Sequence, residues 1–120
     1  MSELQMGNGE LSFAELIWGN EPISSGDLAK ISERVLGWKK TTSYTVLKRL
    51  CDKGLFQNEN GKVTSLLSKE DYHFKQGEQT VTDSFGGSLP AFLAAFTSRK
   101  KLTKQEIEEI QQMINDYKGE

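Results

Sequence analysis

The sequence predicts a mostly helical α+β protein, with three helices and a two-stranded ribbon in residues 1–68 and a three-helix region in residues 69–120. Three observations carry that expectation. Residues 37–54 read as one short helix with an apolar and a polar face. Asn60-Gly61, set between two short β-prone runs, is the dipeptide best suited to a tight hairpin because both residues tolerate positive φ. Thr103-Lys104-Gln105-Glu106 is a capping box placed just ahead of an apolar stripe.

In chain order, the first six residues show no periodicity and are expected to fray. Leu11, Ala14, Ile17 and Trp18 then recur at helical spacing, closed by Gly19; Asn8 and Ser12 are both candidate caps for this first helix. Pro22 breaks the chain. Ser24-Ser25-Gly26-Asp27 supplies the next cap, and Leu28, Ile31 and Val35 define a second amphipathic helix. In the third, Val46, Leu47, Leu50 and Cys51 share an inward face at about 100° per residue. Thr41, Thr42, Tyr44, Thr45, Lys48 and Arg49 project the other way, and Gly54 ends the helix.

That outward face is chemically distinctive. It offers hydroxyls near a helix start and cations further along, which suit phosphate oxygens and base edges in a major groove. The hairpin from Leu55 to Leu67 follows directly, with Lys62 near its tip. Three helices and then a hairpin form the winged-helix arrangement, in which the hairpin reaches toward the backbone flanking the groove. Lys40, Thr41, Thr42, Tyr44, Thr45, Lys48, Arg49 and Lys62 are therefore the candidate contacts to double-stranded DNA.

The net charge of −2 would argue against a polyanionic partner were it evenly spread. Residues 37–69, however, carry seven cations and two anions, whereas both flanks are acidic. A cationic middle can engage a polyanion without making the whole molecule sticky.

From Lys69 the pattern is helical, with Tyr72, Val81 and Phe85 as buried positions before a break at Gly86-Gly87. Ser88 can cap the next helix, since Pro90 is tolerated in a first turn. Its apolar run, including Phe92, Leu93 and Phe96, requires cover that a short tail cannot supply alone. The last helix carries Ile107, Ile110, Ile114 and Tyr117 on one narrow stripe. Phe92, Leu93, Phe96, Ile107, Ile110 and Ile114 are the candidate contacts of a homodimer.

Length allows one full domain, or a small domain with an oligomerisation element. No apolar run approaches a membrane span, and residues 1–4 lack signal-peptide character, so a cytoplasmic location without membrane association is expected. Cys51, the single cysteine, reads as a buried small hydrophobe. Trp18 and Trp38 read as core or hinge aromatics, and Arg99-Lys100-Lys101 as a solvated loop. His73 has no second metal ligand at a usual spacing, and Gly86-Gly87 lacks a phosphate-loop context. No catalytic set can be assembled around one histidine and one inward cysteine, so neither an enzyme nor a cofactor is expected. A protein-binding winged helix is the competing class; the basic central third favours DNA.

Trp18, the segment from Trp38 to Leu50 with Thr42, Thr45 and Arg49, Lys53-Gly54, Gly86-Gly87-Ser88, and Phe96 ahead of Leu102-Thr103 together resemble the penicillinase-repressor (BlaI/MecI-like) family, which has copper-responsive CopY-type repressors as relatives. The resemblance runs from about Met6 to Ile110. It implies a homodimeric winged-helix repressor of TACA/TGTA-type dyads, paired through three C-terminal helices. In the antibiotic-sensing branch it further implies inactivation by a regulatory protease cutting within that tail, at the position matching Ala95-Phe96. Ala95 stands where those members carry an asparagine, Ser43 where the family has an apolar residue, and Leu66-Leu67 where it has a tyrosine-containing strand. The paired-cysteine tail of the copper-responsive relatives is absent.

Overall fold

The computed structural model describes residues 5–119 and forms two compact units, one ending at Gln79 and the other beginning at Thr80. Residues 1–4, read above for the lack of a signal peptide, lie outside the described residues. The element order is α1 (Asn8–Asn20), β1 (Ile23–Ser24), α2 (Ser25–Leu36), α3 (Lys40–Asp52), β2 (Phe56–Glu59), β3 (Lys62–Ser65), α4 (Lys69–Phe85), α5 (Leu89–Arg99) and α6 (Lys104–Lys118).

Helix α1 starts from Gly7, so neither Asn8 nor Ser12 is its cap. The Glu10 carboxylate reaches back to accept from the Gly7 N–H at 3.1 Å, satisfying one of the donors left free at a helix start. Phe13, Ala14 and Ile17 are its buried residues; Leu11 and Trp18 are half-buried. The helix runs one residue past Gly19, where the Asn20 side chain donates to the Leu16 carbonyl at 2.8 Å. Helix α2 is capped by Ser24 Oγ, which accepts from the Asp27 N–H at 3.0 Å, and it ends at Gly37 with φ 71°. Its inward residues are Leu28, Ala29 and Ser32. Val35, expected on that face, is 56% exposed; the 28–32 spacing continues instead to Leu36, which is half-buried against the core just before the Gly37 cap.

Helix α3 ends in a left-handed Gly54, φ 80°. The Leu55 N–H donates to the Leu50 carbonyl at 3.2 Å, closing the last turn and delivering the chain directly into β2. The ribbon turns through Asn60 (φ 52°) and Gly61 (φ 83°), as the dipeptide predicts. A third strand, β1, was not legible in the sequence. It is two residues long and pairs antiparallel with β3, Ile23 opposite Val63, so β3 is the central strand in the order β1-β3-β2.

Phe13, Ile17, Leu28, Leu50, Leu55, Phe56 and Val63 are almost completely buried and form the centre of the first unit. Each such side chain contributes roughly 1.5–3 kcal/mol through removal from water. The first turns of α4 belong to this core. Tyr72 is buried, and its hydroxyl accepts from the Met6 N–H at 3.2 Å. Met6, the last of the six residues expected to fray, is itself buried, so the fold takes hold one residue earlier than expected. Trp18 lies against Phe56 and Tyr72 and donates its ring N–H to the Leu67 carbonyl at 3.0 Å. Trp38 stacks on Phe13, with centroids 5.3 Å apart. His73 packs edge-on against Tyr72 at 5.4 Å.

In the second unit, Gly86 and Gly87 both take positive φ between α4 and α5. Ser88 Oγ accepts from the Ala91 N–H at 3.0 Å, with Pro90 in the first turn. Helix α5 continues through Arg99, so that residue of the cationic triplet is helical rather than looped. The Thr103–Glu106 capping box forms reciprocally, at 2.8 and 3.0 Å. These bonds hold the Glu106 carboxyl below its ordinary range. No helix among the described residues is long and apolar enough to cross a membrane.

Candidate nucleic-acid interface

One face of α3 is exposed along its whole length: Lys40, Thr41, Thr42, Tyr44, Thr45, Lys48 and Arg49. Ser43, Val46, Leu47 and Leu50 are buried on the other. Ser43 therefore points inward, where its hydroxyl donates to Ser32 Oγ at 2.9 Å. The departure from an apolar residue at this position is met by a polar partner rather than displayed to solvent. Cys51 is half-buried. Burial, reinforced by the Asp52 charge and opposed by Lys48, raises its thiol above the ordinary value and keeps it protonated at neutral pH.

The N-terminal end of α3 carries no acidic residue and no side-chain cap. Its free N–H groups and the positive end of its dipole are thus available to anions. Lys40 Nζ lies 5.9 Å from the Tyr44 ring centroid, within cation–π range, which gathers both side chains on one patch. Thr45 Oγ1 donates to the Thr41 carbonyl at 2.9 Å and keeps its lone pairs outward as acceptors. Lys48 Nζ is 3.1 Å from Asp52 Oδ2 in an exposed pair one turn along the helix. Such a pair is worth about 0–1 kcal/mol, little enough to be exchanged for a phosphate. Lys62 is exposed as the first residue of β3, one position past the turn and opposite Glu59.

Sequence reasoning overlooks Glu10, whose capping spacing from Gly7 is readable but whose partners are not. Its side chain is only 14% exposed, and its carboxylate accepts from Lys53 Nζ at 3.2 and 3.3 Å. Arg49 Nη1 approaches within 3.6 Å. Burial raises the Glu10 pKa, but the Gly7 and Lys53 hydrogen bonds and the Lys53 and Arg49 charges outweigh it and hold the carboxyl below its ordinary value. Lys53 also donates to the Gln5 carbonyl at 3.0 Å, and Lys69 pairs with Glu15 at 2.7 Å. Part of the central positive charge is thus turned onto the carboxylates of α1. Among the described residues, Lys39, Lys40 and Lys62 have no ion-pair partner.

Of the residues expected to pair two copies, Phe92, Leu93 and Ile110 are half-buried, while Phe96, Ile107 and Ile114 are exposed. Phe92 packs edge-on against Phe85 at 5.5 Å and beside Phe96 at 6.2 Å. No side chain of α5 or α6 is fully buried, and Leu89, Met113 and Tyr117 are exposed as well. Large apolar residues left uncovered on successive helices are the mark of an interaction surface.

Comparison with known proteins agrees with this architecture over almost the whole chain. The sequence model of the penicillinase repressor family matches residues 6–116. The chain is 25% identical over 119 residues to the penicillinase repressor of Bacillus licheniformis, covering 96% of this chain and 93% of that protein. It is 22% identical over 115 residues to the methicillin resistance regulatory protein MecI of Staphylococcus aureus (strain Mu50), covering 92% and 94%. With three helices, a small antiparallel wing and three C-terminal helices in the same chain, this protein belongs to the penicillinase repressor family of winged-helix transcriptional repressors, which regulate rather than catalyse.

Proposed function

We propose that the protein binds duplex DNA as a homodimer and represses transcription from palindromic operators of the TACA/TGTA type, controlling β-lactam resistance or a related stress response. The observation that carries this is α3, exposed along Lys40, Thr41, Thr42, Tyr44, Thr45, Lys48 and Arg49 and buried behind them. In this reading residues 1–68 hold the DNA-reading module. Thr41, Thr42 and Tyr44 approach base edges, while Lys40, Thr45, Lys48, Arg49 and the wing residue Lys62 take phosphates and fix the docking register. Residues 69–120 pair two copies through Phe92, Leu93, Phe96, Ile107, Ile110 and Ile114. Linking two readers raises the effective concentration of the second half-site.

Selection of duplexes from a random pool by the purified full-length protein tests the proposal. Recovery of an inverted repeat with TACA/TGTA halves supports it; a pool that stays random through successive rounds refutes it.

Induction is assigned to the same tail. Ala95 and Phe96 lie exposed on α5, and a cut between them would divide α5 and separate its N-terminal part from α6. Loss of even a few hundred Å² of buried apolar contact at about 25 cal/mol per Å² would shift a dimer toward monomer. Ala95 lacks an amide, however. A protease whose pocket hydrogen-bonds an asparagine side chain discriminates strongly against a residue without that group. Repression is therefore relieved by a regulatory protease of different preference or by another signal. Mass spectrometry of the protein from induced cells checks this, and a fragment ending at Ala95 after exposure to a β-lactam would overturn the discrimination argument.

A further inference from the structure

Ser32 and Ser43 are the two buried polar residues among those described, at 0% and 2% exposure, and their hydroxyls meet each other across the gap between α2 and α3. Around them the two helices are apolar: Leu28 and Ala29 on α2, Val46, Leu47 and Leu50 on α3. A pair of hydroxyls in such a place adds no hydrophobic stabilisation, and two apolar side chains would pack there without desolvating anything. What the pair adds is direction. Apolar contact is non-directional, whereas a hydrogen bond weakens steeply away from its preferred angle and distance.

Ser32 acts on α3 through its backbone as well. Its carbonyl accepts from the Gly37 N–H and, at 3.5 Å, from the Trp38 N–H, so the turn that leads into α3 is tied to the same residue. Ser43 itself lies between Thr42 and Tyr44, both on the outward face. Side-chain tips sit about 5–6 Å from a helix axis, so a rotation of roughly 20° about that axis carries them by about 2 Å. That is enough to take a donor or acceptor out of hydrogen-bond range of a base edge.

We propose that the Ser32–Ser43 bond sets the rotation of α3 against α2, making Ser43 a positioning residue for sequence discrimination that never touches DNA itself. This rests on the DNA-reading function proposed above. Loss of the bond removes no cation from α3 or the wing, and charge attraction to phosphates tolerates a shift of that size, so non-specific, salt-dependent binding persists while the preference for the correct bases is blurred.

The test uses the full-length chain with Ser32→Ala/Ser43→Ala, which removes both hydroxyls together and leaves neither orphaned. Ser32→Ala/Ser43→Val, which refills the space, serves if the first variant does not fold. Fluorescence anisotropy across a salt series compares a duplex bearing a TACA/TGTA dyad with a scrambled duplex of the same composition. The expected result is an unchanged salt slope on both duplexes and an affinity ratio between them reduced about tenfold, of the size of one mismatched base pair. Amide shifts of Lys48 and Arg49, more than one helical turn along α3 from the substituted residue, measured by NMR without DNA, should move in the same variant. A folded variant with the wild-type affinity ratio overturns the proposal. If the wild type itself fails to distinguish the duplexes, the DNA-reading function fails first; unmoved Lys48 and Arg49 amide shifts would then refute the rotational role independently.

Discussion

Replacing Glu10 by glutamine should cost stability in a pH-dependent way, because one carboxylate caps α1 and anchors α3 at the same time. Glutamine keeps an oxygen for the Gly7 N–H and removes the charge that faces Lys53 and Arg49. The Lys53 contact is mostly shielded, with side-chain exposures of 25% and 14%, so the change from a charge-assisted to a neutral bond costs about 1–1.5 kcal/mol. The Arg49 contact is longer, and the guanidinium is 54% exposed; screening reduces its share to about 0–0.5 kcal/mol. A total of about 1–2 kcal/mol lowers Tm by roughly 4–8 °C in a chain of this size.

Folding lowers the Glu10 pKa beneath its ordinary value of 4.5, so the ionised group stabilises the fold fully above that pH, and the contribution is lost as pH falls through the folded value. Urea denaturation of wild type and Glu10→Gln at about pH 7 and at successive steps below about pH 4.5 measures the difference. The two curves should converge as the pH drops. A gap that stays constant across this range would show that the charge on Glu10 is not the source of its effect.

Three further outcomes follow from the same geometry. Lys48→Ala should leave stability within about 0.5 kcal/mol, since the pair with Asp52 is exposed, yet weaken binding to every duplex and flatten the salt slope by about one unit; an unchanged slope would remove Lys48 from the phosphate set. Ile107→Asp/Ile114→Asp in the full-length protein should convert dimer to monomer in light scattering while helical circular dichroism is retained, because neither side chain is buried within the chain; a persisting dimer would exclude the α6 stripe from the interface. Leu50→Ala, at a fully buried position between α3 and the hairpin, should destabilise by about 2–5 kcal/mol in denaturant titration, and a cost below about 1 kcal/mol would contradict the packing described.

Wherever a local rule suffices, the structure was legible in the residues. The Asn60-Gly61 turn, the Ser24, Ser88 and Thr103 caps, the Gly54 stop and the two faces of α3 each depend on a few neighbouring positions, and each forms as the sequence predicts. The candidate DNA-facing residues of the third helix followed from helical spacing, and α3 leaves them exposed together. Local rules say nothing about partners distant in sequence. Ile23–Ser24 is too short to carry an alternating pattern and is a strand only because β3 lies beside it. Met6 looks like part of a frayed end until Tyr72, sixty-six positions away, accepts its N–H.

Charge is the clearest case of that division. Counting residues identifies a basic central third, and nothing in the count tells an available cation from a structural one. Tertiary packing brings Glu10 to Lys53 and Arg49, and Glu15 to Lys69, leaving Lys39, Lys40 and Lys62 without an ion-pair partner among the described residues. Ser43 shows the same limit for a single side chain. Its helical spacing from Val46, Leu47 and Leu50 puts it on the inward face, but only the tertiary structure brings Ser32 on α2 to meet it, and a buried hydroxyl is tolerated where another is placed as its partner. Helix faces, caps and turns were determined by the sequence read locally; which polar groups are committed to the fold and which remain for a partner was decided by tertiary contact, since burial and pairing energies exist only once distant segments meet.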